Sequence, residues 1–331
     1  MRRLKKSIIL LTIISLGAFF FSLTNQVSIE ASSDDNNSIN YVHLKNTSTN
    51  LSTIYSTSYQ NKIYDQIAKL KKYKNYTIEH PLLITNPYGT NTTSIYMYFK
   101  TSDELQATYT IHCEGYNDFS RTLNNNTLSG YTTNHEYLLV GAIPGQINTI
   151  TVTLTNKQGK TVDTLSWSYN APSLQGGDQY LTVNCDDTNT SSLSNGLYTV
   201  LGNDVTEDSE EQAYMRLYDN DGILRSEIPI ISYRSHRILF EDNTMYFSIS
   251  STKIVGMDQT GYISKIYDTD NYKLHHDYIF DGNNNLLVLA SEKNEKTSED
   301  KIIMIEKDSG NITELVDLID LLPNYYSTTS M

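Results

Sequence analysis

A forty-residue echo in the C-terminal half limits the fold of this chain more than any other feature. The segment Ser235-His236-Arg237-Ile238-Leu239-Phe240-Glu241-Asp242-Asn243 aligns with His275-His276-Asp277-Tyr278-Ile279-Phe280-Asp281-Gly282-Asn283. His falls on His, Phe on Phe and acid on acid, 40 residues apart. Each copy runs through a turn into a second apolar stretch, Met245-Tyr246-Phe247-Ser248-Ile249 and Leu286-Leu287-Val288-Leu289. A hairpin with Gly in its turn follows each time, at Gly261 and at Gly310, and Gly222 marks an earlier copy. These glycines supply the positive φ that tight hairpin turns need. Gly222 and Gly261 are 39 apart, and Gly261 and Gly310 are 49 apart, the excess fitting the charged insertion Glu292–Asp300. Repeats of about 40–50 residues with four short strands each make propeller blades. A β-solenoid needs shorter, more uniform repeats. The span 178–331 holds only about three such units, so an incomplete β-propeller is predicted there.

The stretch before the repeats has a different period. Ile150, Val152 and Leu154 alternate with threonines, and Leu165, Trp167 and Tyr169 alternate with Thr164, Ser166 and Ser168. Tyr109, Ile111 and Cys113 do the same. Alternation of this kind makes strands with one face in a core and one in water. Turn clusters at Asn86-Pro87-Tyr88-Gly89 and Asn156-Lys157-Gln158-Gly159 separate them. Residues 81–171 therefore read as an Ig-like β-sandwich. Pro172 to Gly177 reads as the linker that ends it, a boundary at which proteolysis is expected to release the sandwich. Ahead of it, Tyr59, Ile63, Ile67 and Leu70 lie at helical spacing, predicting one short helix within a lead-in of 58–80. Residues 32–57 are polar and rich in Asp, Asn, Ser and Thr, and are expected to be a flexible tether. The predicted class is all-β.

Residues 1–31 carry the order of a secretory signal: Arg2, Arg3, Lys5 and Lys6, then an apolar run from Ser7 to Thr24, then Ala31 before a cut at Ser32. The run is close to the length that spans a bilayer, so an uncleaved anchor is the alternative. Either way the chain is expected to be exported, secreted or held at the cell surface. Removing 1–31 takes away four basic side chains and one acid, moving the formal net charge from −13 to −16. An acidic surface repels phosphate backbones, so no nucleic-acid partner is expected. Cys113 and Cys185 fall in different predicted domains and read as two buried thiols; with scattered histidines they make no metal cluster. No metal and no cofactor are expected.

Familiar catalytic signatures are missing: no phosphate loop Gly-x-x-x-x-Gly-Lys-Ser/Thr, no Gly-x-Ser-x-Gly elbow, no His-Glu-x-x-His. Asp219-Asn220-Asp221-Gly222 has Leu217 where a calcium loop needs its first carboxylate, and reads as a turn. Among the histidines, His43, His80 and His112 read as surface residues, and His135 is given no role. His236 and His276 stand apart because each opens the first strand of a repeat. First strands line a propeller's channel, so equivalent positions converge on one funnel, a natural place for a polar site.

The stretch from His275 to Leu289, its continuation Asp300–Gly310 and the segment Pro81-Leu82-Leu83-Ile84-Thr85-Asn86-Pro87-Tyr88-Gly89-Thr90-Asn91 resemble the bacterial arylsulfate sulfotransferases, in that family's domain order. The resemblance implies transfer of a sulfuryl group from a phenolic sulfate ester to a phenol acceptor through a sulfohistidine, without a nucleotide donor. It assigns His276 to holding a sulfuryl oxygen, with His236 a channel-lining candidate. It also implies that the nucleophilic histidine, a second histidine and an arginine come from later blades. No histidine follows His276 in this sequence, so the chain is expected to be truncated and inactive alone. A homodimer or a complementing propeller fragment is left open as partner. The rival reading is a non-enzymatic surface-binding module, which an exposed aromatic patch would favour.

Overall fold

The computed structural model describes residues 27–31, 39–124, 130–177, 196–202, 212–232, 235–283, 285–293, 295 and 300–322. The described part is predominantly strand. Its N-terminal region is built from β1 (Val27–Ala31), β2 (Asn40–Leu44), β3 (Leu82–Thr85), β4 (Ile95–His112), β5 (Phe119–Leu123), β6 (Thr132–Leu139), β7 (Ile147–Thr155) and β8 (Thr161–Asn170). The 18-residue strand β4 joins the two halves. Its first half pairs with β3 and β6, and its second half with β5 and β7, with the ladder to β6 broken between Lys100 and Leu105. Ile150, Val152, Leu154, Trp167 and Tyr169 are buried with Tyr109 and Ile111, as the alternation requires. Apolar faces meeting in this way supply most of the driving force for the sandwich.

Among the described residues three helices accompany the strands: α1 (Leu51–Ile54), α2 (Thr57–Tyr73) and α3 (Leu318–Leu321). Ser56 caps α2, its hydroxyl accepting from the Tyr59 amide at 3.3 Å. The four residues at helical spacing, Tyr59, Ile63, Ile67 and Leu70, are the apolar face that α2 buries. Gln60 is buried beside them. Its amide donates to the carbonyls of Ile54 and Tyr88, and its oxygen accepts from the Ile263 amide at 3.1 Å, so helix, sandwich and repeats meet there.

The expected tether over 32–57 is corrected from Asn40 onward. β2 and α1 occupy it, and Tyr41, Leu44, Leu51, Ile54 and Tyr55 are buried. Leu51, Ile54 and Tyr55 do stand at helical spacing, but over a single turn, and Tyr41 and Leu44 do not follow the period of two, so tertiary partners are what reveal the segment. Tyr41 accepts from the Trp167 indole at 2.7 Å, and Tyr55 donates to the Pro229 carbonyl at 2.6 Å. Residues 1–26 and 32–38 lie outside the described residues, and so does Cys185. Cys113 is a free, buried thiol whose pKa burial pushes up.

The repeats form three antiparallel sheets with neighbouring strands in sequence order. The first holds β9 (Tyr198–Val200), β10 (Ala213–Tyr218) and β11 (Leu224–Ile230). The second holds β12 (Ile238–Glu241), β13 (Thr244–Ser250), β14 (Lys253–Asp258) and β15 (Ile263–Asp268); the third holds β16 (Tyr272–Phe280), β17 (Leu286–Glu292), β18 (Lys301–Ile305) and β19 (Ile312–Asp317). Four-stranded meanders repeated in this way are propeller blades. The hairpin turns repeat in detail. Asp219 Oδ1 accepts from the amides of Asp221 and Ile223, and Asp258 Oδ1 from those of Thr260 and Tyr262. Gly222 and Gly261 take φ of +74° and +87° in these turns. One apolar core runs from the sandwich through the first two sheets, and a second lies between the second and third sheets.

Candidate active-site region

The aligned histidines belong to the first strands of neighbouring sheets or their approach. His236 sits just before β12, half-buried, its backbone amide donating to Ser248 Oγ at 2.9 Å. His276 lies inside β16, exposed. The residues that follow them meet: Arg237 Nη1 contacts both carboxylate oxygens of Asp277, at 2.6 and 2.8 Å. Tyr278 reinforces this contact, its hydroxyl accepting from the Ser248 amide at 3.0 Å and donating to the Arg237 carbonyl. Ser235 ties the same corner to the first sheet, its amide donating to the Leu201 carbonyl at 2.7 Å. His236 and His276 therefore flank a single contact between adjacent first strands.

The local backbone at His276 is unusual. The β16–β17 ladder passes from Leu274 opposite Ala290 to Tyr278 opposite Val288, leaving His275, His276 and Asp277 to face Leu289 alone. The surplus residues bulge from the strand, and His276 takes φ of +42°. That left-handed conformation is uncommon for a side chain with a Cβ, and costs on the order of 1–3 kcal/mol. Bulges and such strained positions gather at functional sites, where they re-aim a side chain. The His-His-Asp run is the only trace of this bulge in the sequence, and alternation alone gives no sign of it. The His275 and His276 rings are 6.3 Å apart.

Two clefts lie elsewhere, the first at the junction of sandwich, α2 and second sheet, the second between the sandwich and the repeats. One, of about 260 Å³, is lined by Tyr64, Lys71, Tyr88, Glu136, Asp258 and Gln259 among others. The second, of about 390 Å³, takes in Tyr109, Phe119, Arg121 and Tyr137, and shares Glu136 and Gln259 with the first. Neither is lined by His236 or His276. Tyr64 is half exposed and packs on Tyr262 with ring centroids 5.1 Å apart. Of the histidines outside the repeats, His112 is exposed and paired with Asp118 at 2.7 Å, whereas His135 is fully buried. Among the described residues, no three His, Cys, Asp or Glu side chains are placed to hold a metal ion.

Comparison with known proteins follows the same two-part division. The family model described as "Arylsulfotransferase Ig-like domain" matches residues 82–172, and that described as "Arylsulfotransferase (ASST)" matches residues 182–331. No curated protein matches the chain. Among solved structures, a protein of unknown function from Bacteroides caccae is 12% identical, with 64% of this chain and 73% of that one covered and a TM-score of 0.25. An auxiliary nutrient binding protein from Bacteroides thetaiotaomicron VPI-5482 is 13% identical, with 69% and 56% covered and a TM-score of 0.20. Superpositions that loose carry no argument about fold or function. The two adjoining family matches between them take in most of the chain, which belongs to the arylsulfotransferase family.

Proposed function

We propose that this chain is exported and serves the transfer of sulfuryl groups from aryl sulfates to phenols. The observation that carries the proposal is the pair of adjoining family matches, the second of which includes the bulge at His276. In the reaction proposed, a histidine nitrogen attacks sulfur, an N–S bond forms and the S–O bond to the aryl group breaks, releasing a phenolate. A phenol oxygen, giving up its proton, then attacks sulfur and frees the histidine. His276 would steady a sulfuryl oxygen as charge develops on it, with His236 beside it. The resemblance matches no histidine of this sequence to the attacking residue, so this chain by itself should not turn over.

The test is to isolate the tagged chain from its native host with whatever it holds, and supply 4-nitrophenyl sulfate with excess phenol. Phenol-dependent nitrophenol release is expected, falling about 10²-fold in His276→Ala, the usual scale for losing one donor to a developing oxyanion. Recombinant chain alone should release none. Undiminished release from the variant would remove His276 from the site. Sustained release by the recombinant chain alone would place the nucleophile within it.

A second reading has one observation in its favour. Tyr64 and Tyr262 form a partly exposed aromatic pair beside a polar cleft, a surface suited to binding rather than chemistry. A chain that binds glycans or proteins through Tyr64 and shows no transfer in any preparation would favour it.

A further inference from the structure

The cleft of about 260 Å³ at the junction of sandwich, α2 and second sheet holds two polar groups that the fold leaves unused. Tyr64 and Lys71 reach it from α2, Tyr88 from the turn after β3, Glu136 from β6 and Asp258 from the end of β14. Tyr88 is only 2% exposed and packs on Tyr262 with ring centroids 5.5 Å apart. Among the described residues its hydroxyl has no hydrogen-bond partner. Burial, then the charges of Asp258 and Glu136, push its pKa up, so the hydroxyl stands within electrostatic reach of both carboxylates. Asp258 commits Oδ1 to its own turn, where it accepts from the Thr260 amide and hydroxyl at 2.8 and 2.7 Å and from the Tyr262 amide at 3.1 Å. Among the described residues nothing donates to its Oδ2, and no cation is paired with it. Burial raises the pKa of this carboxyl, and the Glu136 charge adds to the rise. The neighbouring acids differ. Glu136 accepts from Lys71 Nζ at 2.6 Å and from the Tyr96 hydroxyl at 2.7 Å, and Asp242, also on the wall, has Lys307 at 3.6 Å.

We propose that this cleft binds a small organic ammonium ion, whose N–H groups donate to Asp258 Oδ2 and the Tyr88 hydroxyl while its carbon skeleton lies against Tyr64. Three features select that chemistry. A half-buried carboxylate without a cation is stabilised by one, and a charge-assisted hydrogen bond is the strongest contact it can make. An enclosed hydroxyl with no partner is costly, and an ammonium N–H supplies the missing donor. The faces of Tyr64 and Tyr88 attract a cation through their ring quadrupoles. Anions fit badly, because the lining sets Glu136, Asp242 and Asp258 against Lys71 alone. A neutral sugar could hydrogen-bond the same two groups, but it would leave the Asp258 charge uncompensated. The inference stands apart from the sulfuryl-transfer reading, whose aryl sulfate donors are anions, so an inactive protein leaves it intact.

The experiment is calorimetric titration of the full chain with benzylammonium, its neutral counterpart benzyl alcohol, its anionic counterpart benzoate, and glucose. Benzylammonium should bind at least about tenfold more tightly than benzyl alcohol, and benzoate should not bind. Asp258→Asn, which keeps the Oδ1 acceptor of the turn, should weaken benzylammonium about tenfold. Tyr88→Phe should weaken it about threefold while leaving the unliganded protein melting no lower than the parent, since the hydroxyl it removes holds nothing. Should Asp258→Asn fail to fold, Tyr88→Phe carries the test. Absence of benzylammonium binding overturns the proposal, as does equal affinity for the alcohol or binding that neither variant weakens. Binding of glucose or benzoate with benzylammonium inert overturns it too, and gives the cleft to a neutral sugar or an anion.

Discussion

At the scale of single residues, His135 is a fully buried ionisable group outside the repeats. Its ring lies flat on Phe99, with centroids 4.4 Å apart and planes 7° from parallel. Its nitrogens meet the Tyr137 hydroxyl at 2.8 Å and Thr101 Oγ1 at 3.1 Å, so the neutral ring is satisfied where a cation would be stranded. Burial holds its pKa down to about 4, from an ordinary 6.5. Because the folded value is the lower one, its contribution is complete above about pH 6.5 and drains away as pH falls toward 4. The loss is about 3 kcal/mol. Urea midpoints measured from pH 8 down to pH 4 should therefore fall, and His135→Phe should flatten that limb whatever it costs at pH 8. An equally steep limb in the variant would assign the acid sensitivity to other groups. Residue type could not announce this role: His112 and His135 both sit on strands, yet one is exposed and the other wholly enclosed.

At the scale of elements, what could be read in the sequence was what is periodic. The strands of the sandwich declare themselves because Ile150, Val152 and Leu154 share one face, and α2 because its apolar residues recur every three or four. The repeats could be aligned because the His, Phe and acidic positions recur at one spacing. β2, α1 and the His276 bulge escaped. β2 holds only two buried residues, Tyr41 and Leu44, in a setting of Asn, Ser and Thr, so composition reads it as solvated. The His276 bulge escaped because it breaks the period that reveals strands. Tyr41 is the test of β2. Its hydroxyl is the acceptor for a buried indole N–H, and leaving such a donor unsatisfied costs about 1–3 kcal/mol. Tyr41→Phe should lower unfolding stability by that amount and shift Trp167 fluorescence, whereas a tether would tolerate the change without effect. Processing before Ser32, which we propose for the exported form, would leave β2 as an edge strand, since β1 pairs with it along its full length. Tyr41 then anchors that edge.

At the scale of the whole molecule, the boundary between sandwich and repeats is visible in sequence, but its mechanical character is not. Pro172, Gly176 and Gly177 read as a linker open to proteases. In the structure that segment is pinned by Arg216 on β10, which donates to the Gly176 and Gly177 carbonyls at 2.7 and 3.3 Å, and by a buried carboxylate on β11. Glu227 accepts from the amides of Gln175 and Gly176 at 2.5 and 3.1 Å and from Thr92 Oγ1 at 2.9 Å, so it holds linker, sandwich and first sheet together. Arg225, two residues earlier, is buried and ion-paired with Asp219, and donates across the junction to the carbonyls of Gly141 and Asn117. Glu227 and Arg225 both fall within a strand buried along its whole length, where charged residues give no hint of what they bind. The apolar core is also continuous across the junction. Cleavage of the linker should therefore be slow, and should not free a sandwich. Glu227→Ala strands three donors at once, and each 1.4 kcal/mol of lost closure multiplies the open population by ten. Limited proteolysis should then cut within 172–177 at least about tenfold faster in the variant than in the parent. In both proteins the two halves should co-elute after cutting, because the shared core still joins them. Rapid cutting of the parent chain with separation of a soluble sandwich would show instead that the two regions are joined by a linker alone, and that the Glu227 clamp contributes nothing to their union.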